Sequence, residues 1–369
     1  MANSLYEENL ARIKRAVTLE PTDRVPYIPV ANAYFAKSEG ITLKDYITNF
    51  ELATDTNLKA ADTVGGVDGT QNILFSPWLL TDVWLSPVYM PGRELGDDEM
   101  WQVIEAENLT REDYDVILNN GFESFYEKYL IEKCGDPNKN LAPFFEYLPT
   151  ATQRLSDAGI PCVCGFIIVN PFEMLCGSRS LENFFMDLLD IPDKVEAVCK
   201  VIMEFQLKKY DAMLGAIKPH GVWIGGWRSA PDMLSMEIWE RFVWPWYEPF
   251  TELVLSHDVI PTFHLDSCWD RGLEHFRGMP AKKCIMGLDS KTNIRLAKKT
   301  LGDMMCILGD VPAEILAFGQ PEEVFDHSTE LINDIGPTGY ILASGCDIPS
   351  NGKKENIKAM RDAALKYKY

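Results

Sequence analysis

The chain has 369 residues, 46% of them hydrophobic and 24% charged, which is typical of a globular protein with one large core or two ordinary ones. Lys and Arg number 35 against 55 Asp and Glu, and the net charge of -20 argues against nucleic-acid binding, because such a field repels phosphates. No apolar run approaches the roughly 18 residues of a membrane span, and the charged, amphipathic start lacks the apolar centre of a signal peptide. We therefore expect a cytoplasmic protein with no membrane segment, whose nine cysteines are reduced.

Strands and helices alternate along most of the chain. After an N-terminal helical extension, short apolar runs rich in β-branched residues predict eight strands, at 25–30, 64–70, 161–169, 221–226, 259–265, 283–288, 304–309 and 339–344. Helical periodicity is clearest at 181–214, 236–256, 322–335 and 354–366. This α/β alternation predicts a parallel sheet, and eight units fit a closed (β/α)8 TIM barrel. No linker, repeat or low-complexity tract divides the chain, so residues 1–369 are expected to form a single domain.

The segment after the second predicted strand is longer than a simple connection requires. Residues 78–90, which precede Pro91 and Gly92, predict a β-hairpin excursion, and residues 97–107 predict its return. Neither a phosphate-binding glycine-rich loop nor a serine nucleophile elbow occurs in the chain, which argues against kinase and dehydrogenase chemistry.

Reactive side chains cluster at the predicted strand ends, where a barrel of this type carries its functional groups. His264 and Asp266 are two residues apart after the fifth predicted strand and therefore project from the same face. Cys306 lies in the seventh predicted strand, and Cys346 follows the eighth. Because zinc accepts nitrogen, oxygen and sulfur donors, these four residues predict a tetrahedral zinc site.

Each of these residues also has a purely structural interpretation. Cys306 is flanked by apolar residues and could fill a layer of the core, and His264 could be a buried histidine with its hydrogen bonds satisfied. Cys268, four residues after His264, competes with Asp266 as a ligand near the fifth strand. The remaining cysteines are interpreted as core residues: Cys134, Cys162, Cys164, Cys176, Cys199 and Cys284.

The ordered set of segments resembles the uroporphyrinogen decarboxylase superfamily and, within it, the zinc-dependent, corrinoid-linked methyltransferases. The resemblance covers nearly the whole chain, and its segments are PTDRVP at 21–26, PG at 91–92, NPF at 170–172, LSMEIWERFVWP at 234–245, GDVP at 309–312, GQPEEV at 319–324, GCDIP at 345–349 and ENIKAM at 355–360. In that branch a His-x-Cys pair after the fifth strand and a Cys after the eighth bind zinc, which implies His264, Asp266 and Cys346 here. Asp266 replaces a thiolate, and Cys306 is the candidate to restore a second sulfur.

The resemblance implies a catalytic role for His264, Asp266 and Cys346. The expected reaction, as in the methyltransferase component of anaerobic O-demethylases, is cleavage of an aryl methyl ether with transfer of the methyl group to Co(I) cobalamin. The cobalamin would be carried by a separate corrinoid protein. Two alternatives remain open: transfer from methylcobalamin to a thiol or another acceptor, and a non-catalytic barrel that binds a corrinoid or tetrapyrrole. The decarboxylase itself is disfavoured, since its arginine-containing N-terminal segment is replaced here by VANAYFAK at 30–37.

Several residues at or just after the strand ends are candidates to bind a small methoxylated aromatic substrate. Aromatic side chains there could supply faces for a planar ring, although core packing explains any one of them equally well. They are Tyr34, Phe35, Phe172, Trp223 and Trp227. Arg228 could pair with a substrate carboxylate or with the product phenolate. The candidate substrate-binding residues are Tyr34, Asn32, Asn170, Glu173, Trp227 and Arg228.

Overall fold

The computed structural model describes residues 2–367. The helices in this range are α1 Ala2–Val17, α2 Ala33–Ser38, α3 Leu43–Thr48, α4 Phe50–Val64, α5 Trp78–Trp84, α6 Arg111–Asn120, α7 Phe122–Cys134, α8 Pro137–Asp157, α9 Pro171–Arg179, α10 Leu181–Asp190, α11 Pro192–Ile217, α12 Met236–Phe242, α13 Tyr247–Ser256, α14 Ile294–Leu301, α15 Ala313–Phe318, α16 Pro321–Ile335 and α17 Lys354–Lys366. Two 3-10 helices occupy Trp244–Trp246 and Asp270–Gly278. The strands are β1 Val88–Tyr89, β2 Gln102–Val103, β3 Ile167–Ile168, β4 Gly221–Gly226, β5 Ile260–Leu265, β6 Ile285–Leu288, β7 Cys306–Val311 and β8 Tyr340–Ser344.

The central element is a parallel sheet of six strands in the order β3-β4-β5-β6-β7-β8. All six strands point the same way, so their carboxyl ends meet at one edge. In the register, His264 lies between Gly225 on β4 and Gly287 on β6. The α/β class and the parallel sheet expected from the sequence are therefore confirmed.

The first two predicted strands are reduced to single bridges. Tyr27 pairs with Leu342 of β8, and Thr70 pairs with Cys162. Between them, the Asp68 N–H donates to the Tyr27 carbonyl at 2.9 Å. Prolines at 26 and 29 and glycines at 65, 66 and 69 explain the reduction, because proline lacks a ladder donor and glycine weakens a strand. The bridges lead from β8 back toward β3, an arrangement that fits the expected barrel.

Prolines also divide two of the expected helices. The periodicity at 181–214 predicts one helix, but the structure has α10 and α11, with a break at Ile191 before Pro192. The run at 236–256 is divided into α12, a 3-10 turn that contains Pro245, and α13. A proline removes a backbone donor and clashes with the preceding turn, so each run ends where its proline falls.

The excursion after the second predicted strand has one strand pair, as expected, but begins with a helix. Val88 pairs with Val103 and Tyr89 with Gln102 in antiparallel register. Residues 78–84, expected to belong to the hairpin, form α5 instead. Their apolar residues recur at helical rather than alternating spacing, which explains the difference.

Helix α1 covers the amino edge of the sheet. Ile13, Ala16 and Val17 are buried in one apolar cluster with Ile285 and Cys306, the first residues of β6 and β7. Polar contacts hold the helix at the same edge: the Tyr6 hydroxyl lies 2.6 Å from Nε2 of His220, and Asn9 Nδ2 donates to the Gly159 carbonyl at 2.9 Å. In the described part of the chain, no helix is both long enough and apolar enough to cross a bilayer.

Candidate metal centre

Three potential metal ligands converge at the carboxyl edge of the sheet. Nε2 of His264 lies 3.5 Å from Oδ1 of Asp266 and 3.6 Å from Sγ of Cys346. One donor atom from each residue lies within 4.8 Å of the others, and no other set of three such residues in 2–367 meets this criterion. The arrangement brings together a nitrogen, an oxygen and a sulfur donor, a combination compatible with zinc.

Local backbone structure sets the direction of two of these ligands. His264 is the fifth residue of β5 and Asp266 follows the strand, so alternation places both on one face. The next residue, Ser267, has a left-handed backbone (φ 67°), and its N–H donates to Oδ2 of Asp289 at 2.7 Å. This hydrogen bond ties the end of β5 to the end of β6 immediately beside Asp266.

Cys346 is placed by a close approach of two backbones. A Cβ on Gly345 would lie 2.7 Å from the carbonyl carbon of Asp289, so only glycine fits there. Asp347, on the other side of Cys346, accepts hydrogen bonds from the backbone and side-chain nitrogens of Asn32, both at 2.9 Å. The thiol is therefore held between two fixed neighbours.

Burial shifts the pKa values of all three residues. Burial lowers the pKa of His264 to about 4. Burial, with the carboxylates of Asp289 and Glu173 nearby, raises the pKa of Asp266 to about 7. Burial and neighbouring carboxylates also raise the pKa of Cys346 well above its ordinary value. A cation would reverse these shifts on Asp266 and Cys346 by displacing their protons.

An unsatisfied oxygen supports the same interpretation. Oδ1 of Asp266 is buried and has no hydrogen-bond partner, although it faces the other two donor atoms. Leaving a buried carboxylate oxygen unpaired is costly, because the group loses water without gaining a partner. A metal ion bound by His264, Asp266 and Cys346 would satisfy it, so the residues present fit such an ion.

Acidic side chains surround the centre. Asp289 and Asp310 lie at the ends of β6 and β7, and burial raises the pKa of both, that of Asp310 to about 8. Burial also raises the pKa of Asp347 to about 6. Closely spaced carboxylates resist ionising together unless a cation neutralises them. The electrostatics of this edge therefore favour a divalent cation.

The expected fourth ligand, Cys306, lies outside this group. It is the first residue of β7, at the amino edge, and it is buried against Ile13 and Ile285 of the apolar cluster under α1. Burial raises the pKa of its thiol. The structure thus gives Cys306 the core position that was its alternative interpretation. Cys268 is half-buried and does not join the ligand group either.

Two of the expected substrate-binding residues instead support a loop. The buried carboxylate of Glu173 accepts backbone N–H groups from Trp227 at 2.7 Å, Arg228 at 2.8 Å and Ser229 at 2.9 Å. Asn170 caps α9, and its Oδ1 accepts the Glu173 N–H at 2.9 Å. Glu173 therefore fixes the loop after β4 and has little capacity left for a ligand.

Asn32 and Tyr34 lie at the start of α2, where Asn32 contacts Asp347 beside Cys346. Oδ1 of Asn32 accepts from Nδ2 of Asn72 at 2.5 Å, so its polar atoms are used within the protein, chiefly to hold Asp347. The Tyr34 hydroxyl is buried without a hydrogen-bond partner, and burial raises its pKa to about 12. Of this pair, only Tyr34 keeps a polar group available for a ligand.

Trp227 and Arg228 form a wall with a third residue, Trp84 of α5. The rings of Trp84 and Trp227 meet edge to face, with centroids 5.5 Å apart, and the Arg228 guanidinium carbon lies 5.8 Å from the Trp84 ring centre. Nη1 of Arg228 forms an ion pair with Glu105 at 2.8 Å. The excursion after the second predicted strand thus contributes directly to this wall.

Some residues around the site were not predicted. Asp289 directly follows β6, a position where the strand-end rule would have found it. Trp84 lies in a segment expected to form a hairpin, so no rule of strand ends applied to it. Trp223 was predicted only as a face for a substrate ring, and in the structure it stacks on the His264 ring with centroids 3.9 Å apart, a contact that depends on the register of β4 and β5.

The sequence pattern of the family described as uroporphyrinogen decarboxylase (URO-D) matches residues 124–367. This match spans more than half of the chain, which therefore belongs to the URO-D family, as its motifs indicated. Among solved structures, a methyltransferase from Methanosarcina mazei superimposes with a TM-score of 0.71 over 96% of this chain and 97% of that chain, at 15% sequence identity. The two proteins share a fold. No curated protein matches the sequence.

Proposed function

We propose that this protein is a zinc-dependent methyltransferase that cleaves an aryl methyl ether and passes the methyl group to the Co(I) cobalamin of a separate corrinoid protein. In this reaction the methyl carbon–oxygen bond breaks with its electron pair left on the oxygen, and Co(I) supplies the pair for the new carbon–cobalt bond. The phenolate then takes a proton from solvent. The observation that carries the proposal is the convergence of His264, Asp266 and Cys346 at the carboxyl edge.

His264, Asp266 and Cys346 would hold the zinc ion. Bound there, zinc supplies Lewis acidity toward the ether oxygen, which needs stabilisation because a phenolate is a poor leaving group. Asp266 suits this role because a carboxylate donates less charge to the ion than a thiolate does. The neighbouring acidic residues Asp289 and Asp310 would add negative charge near the ligands, which favours retention of a bound cation.

The aromatic wall offers a place for the ring of the substrate. Trp227 and Trp84 form an edge-to-face pair, and the loop that carries Trp227 is fixed by Glu173. Arg228 lies beside Trp84 and could pair with an oxygen of the substrate, in competition with Glu105. The Tyr34 hydroxyl, which has no partner in the protein, is a further candidate for a substrate contact.

The donor atoms of the three ligands favour ether cleavage over methyl transfer from methylcobalamin to a thiol. Transfer of a methyl group to a zinc-bound thiol requires an electron-rich ion that keeps the sulfur nucleophilic, and additional thiolate ligands promote this. Cys346 is the one thiol in the ligand group, since Cys306 and Cys268 both lie outside it. A site with one thiolate and one carboxylate is better suited to withdraw charge.

The proposal is tested with purified protein, reduced corrinoid protein and a panel of methoxylated phenols and benzoates. We expect about one zinc ion per chain and the appearance of the methylcobalamin spectrum with at least one ether. Cys346→Ala should lose both zinc and activity. Cys306→Ser provides the matched control, because it changes a thiol outside the ligand group.

Two results would contradict the proposal. Metal-free wild-type protein that is active would remove the metal from the reaction, whereas metal-free wild-type protein that is inactive would favour a binding role for the carboxyl edge. Methyl transfer from methylcobalamin to thiols, with no product from any ether, would establish the opposite half-reaction instead.

A further inference from the structure

The imidazole of His264 is held by stacking on its neighbour in the sheet. Its ring lies parallel to that of Trp223, at an interplanar angle of 4° and with centroids 3.9 Å apart. Trp223 pairs in register with Thr262, two residues before His264, so both aromatic side chains point to the same face of the sheet. The stack therefore follows from the register of β4 and β5.

The glycines beside the stack leave room for it. Gly225 lies opposite His264 on β4 and has no side chain to contact the imidazole, and a Cβ there would lie 2.1 Å from the ring of Trp227. Gly287 lies opposite His264 on β6, where a Cβ would come 3.9 Å from Nδ1. Neither neighbouring strand therefore offers the imidazole a polar side chain at this level.

Nδ1 of His264 has no hydrogen-bond partner among residues 2–367, where the polar contacts of this imidazole are those of Nε2 with Cys346 and Asp266. This is unusual for a ligand histidine. Such a residue almost always donates its other ring N–H to a carboxylate, a carbonyl or a water, and that bond fixes the orientation of the ring.

Trp223 itself carries an unusual cost. Its indole Nε1 is buried and has no hydrogen-bond acceptor, whereas a buried tryptophan usually finds one. A smaller apolar residue at this position would avoid that cost. The contact that explains a tryptophan at this position is the stacking of its ring on the His264 imidazole.

We propose that Trp223 is the positioning residue of the metal centre, and that its stacked ring replaces the usual outer hydrogen bond in directing Nε2 of His264 toward Asp266 and Cys346. This inference rests on the proposed metal centre. It assigns to Trp223 a role in metal affinity that does not require contact with the substrate.

Two variants of Trp223 separate the effect of aromatic stacking from the effect of side-chain size. Trp223→Phe keeps an aromatic face against the imidazole, and Trp223→Leu removes it. Outer-shell partners of ligand histidines typically contribute 10- to 100-fold in metal affinity. We therefore expect Trp223→Leu to weaken metal binding by about 10-fold or more, and Trp223→Phe to retain most of the affinity.

Affinity is measured on the full-length apoprotein by competition for Co²⁺ and Zn²⁺ with a chromophoric chelator. The Co²⁺ absorption bands report the ligand geometry, so a stack that orients His264 predicts altered bands in Trp223→Leu and near-native bands in Trp223→Phe. Trp101→Leu is the matched control, because Trp101 is also half-buried and packs on a ring, that of Phe75 at 4.7 Å. Circular dichroism confirms that each variant is folded.

The inference fails if Trp223→Leu binds Co²⁺ as tightly as the wild type and with the same bands. It also fails if Trp223→Phe loses as much affinity as Trp223→Leu, because a flat ring would then not be what matters. In both cases the wild-type protein still binds metal, and the proposed function stands. Wild-type protein that binds no metal would overturn the metal centre and this inference together.

Discussion

Two thiols, Cys306 and Cys346, belong to neighbouring strands of one sheet but have opposite surroundings. Cys346 follows β8 at the carboxyl edge and lies 3.6 Å from the His264 imidazole. Cys306 begins β7 at the amino edge and is packed among aliphatic side chains. The chemistry of each thiol is therefore set by the end of the strand at which it lies.

This difference gives a prediction for metal content. Cys346→Ala should weaken zinc binding by more than the roughly 10- to 100-fold that loss of an outer partner costs, because it removes a direct ligand. Cys306→Ser and Cys268→Ser should each keep the wild-type metal content. The measurement is zinc per chain after dialysis against a weak chelator, and loss of zinc from Cys306→Ser would show that the ligand group has been assigned wrongly.

Asp310 gives a prediction for the pH dependence of stability. Burial and the nearby Asp289 raise its pKa to about 8, against about 3.9 for an unfolded aspartate. The folded state binds the proton of Asp310 more tightly than the unfolded state does. The contribution of this group to the free energy of unfolding is therefore fully present below about pH 4 and is lost as the pH rises to about 8. Each pKa unit corresponds to about 1.4 kcal/mol.

Asp310→Asn, which cannot ionise, should therefore show a smaller fall in the free energy of unfolding than the wild type between about pH 5 and 8. Urea denaturation of the metal-free protein at several pH values measures this. The comparison cancels the contribution of the remaining acidic groups, which both proteins share. Asp62→Asn, at an exposed position on α4, is the control, and equal slopes for Asp310→Asn and wild type would contradict the assignment.

The sequence located the ligands on β5 more accurately than the thiol on β7, for a physical reason. The spacing of His264 and Asp266 determines their common face wherever the strand begins. For Cys306 the decisive quantity is its distance from the strand ends. The apolar run predicted a strand at 304–309, with Cys306 in its middle, whereas β7 is Cys306–Val311, and this shift of two residues places the thiol at the first residue of the strand.

At the scale of elements, carboxylates brace the loops of the carboxyl edge against one another. Glu173 holds the loop after β4, Asp289 holds the residue after Asp266, and Asp347 is bound to Asn32. In the first two pairs a carboxylate from one connection accepts backbone N–H groups of another, and Asp347 accepts the Asn32 N–H in the same way. Hydrogen bonds to charged groups contribute about 1.5–3 kcal/mol each, so these loops are held more firmly than exposed connections.

Glu173→Gln tests the largest of these braces. The amide retains one acceptor oxygen but places an NH2 group against backbone donors, so we expect a loss of about 2–3 kcal/mol in the free energy of unfolding. Methyl-transfer activity should also fall, because Trp227 and Arg228 lie on the loop that Glu173 holds. Denaturant titration and the corrinoid assay measure the two effects.

The control for this variant is Glu252→Gln, the same change at an exposed position on α13. If Glu173→Gln were as stable and as active as this control, the three hydrogen bonds would not be what orders the loop.

Elements determined by a local hydrophobic pattern could be predicted from the sequence, whereas elements determined by tertiary strand pairing could not. Strand β4 and helix α17 have the expected bounds, because an apolar run and an amphipathic face are local signals. The first two predicted strands shrank to bridges at Tyr27 and Thr70, since their length depends on which neighbours pair with a segment rich in proline and glycine. Stacking of Trp223 on His264 depends on register in the same way.

At the scale of the molecule, the amino edge of the sheet contributes to stability and the carboxyl edge carries the candidate site. The amino edge is closed by an apolar cluster that includes Ile13 of α1, and the carboxyl edge carries the ligands and the braced loops. In folds of this type, residues at the amino end contribute stability and those at the carboxyl end contribute chemistry. Substitutions at the two edges should therefore affect different measured quantities.

Ile13→Ala tests this separation. Ile13 is fully buried, and removal of such a side chain down to alanine costs about 2–5 kcal/mol. We expect a loss of that order in the free energy of unfolding, with the dissociation constant for Co²⁺ unchanged. A variant whose metal affinity fell together with its stability would show that the two edges are coupled.

Since α1 covers the amino edge through Ile13, Ala16 and Val17, the ligands at the carboxyl edge face away from that helix. Under the proposed function, an aryl ether and a corrinoid protein would both approach His264 from the carboxyl edge. The ether would then have to bind before the corrinoid protein docks, and the phenol would be released only after the corrinoid protein has dissociated.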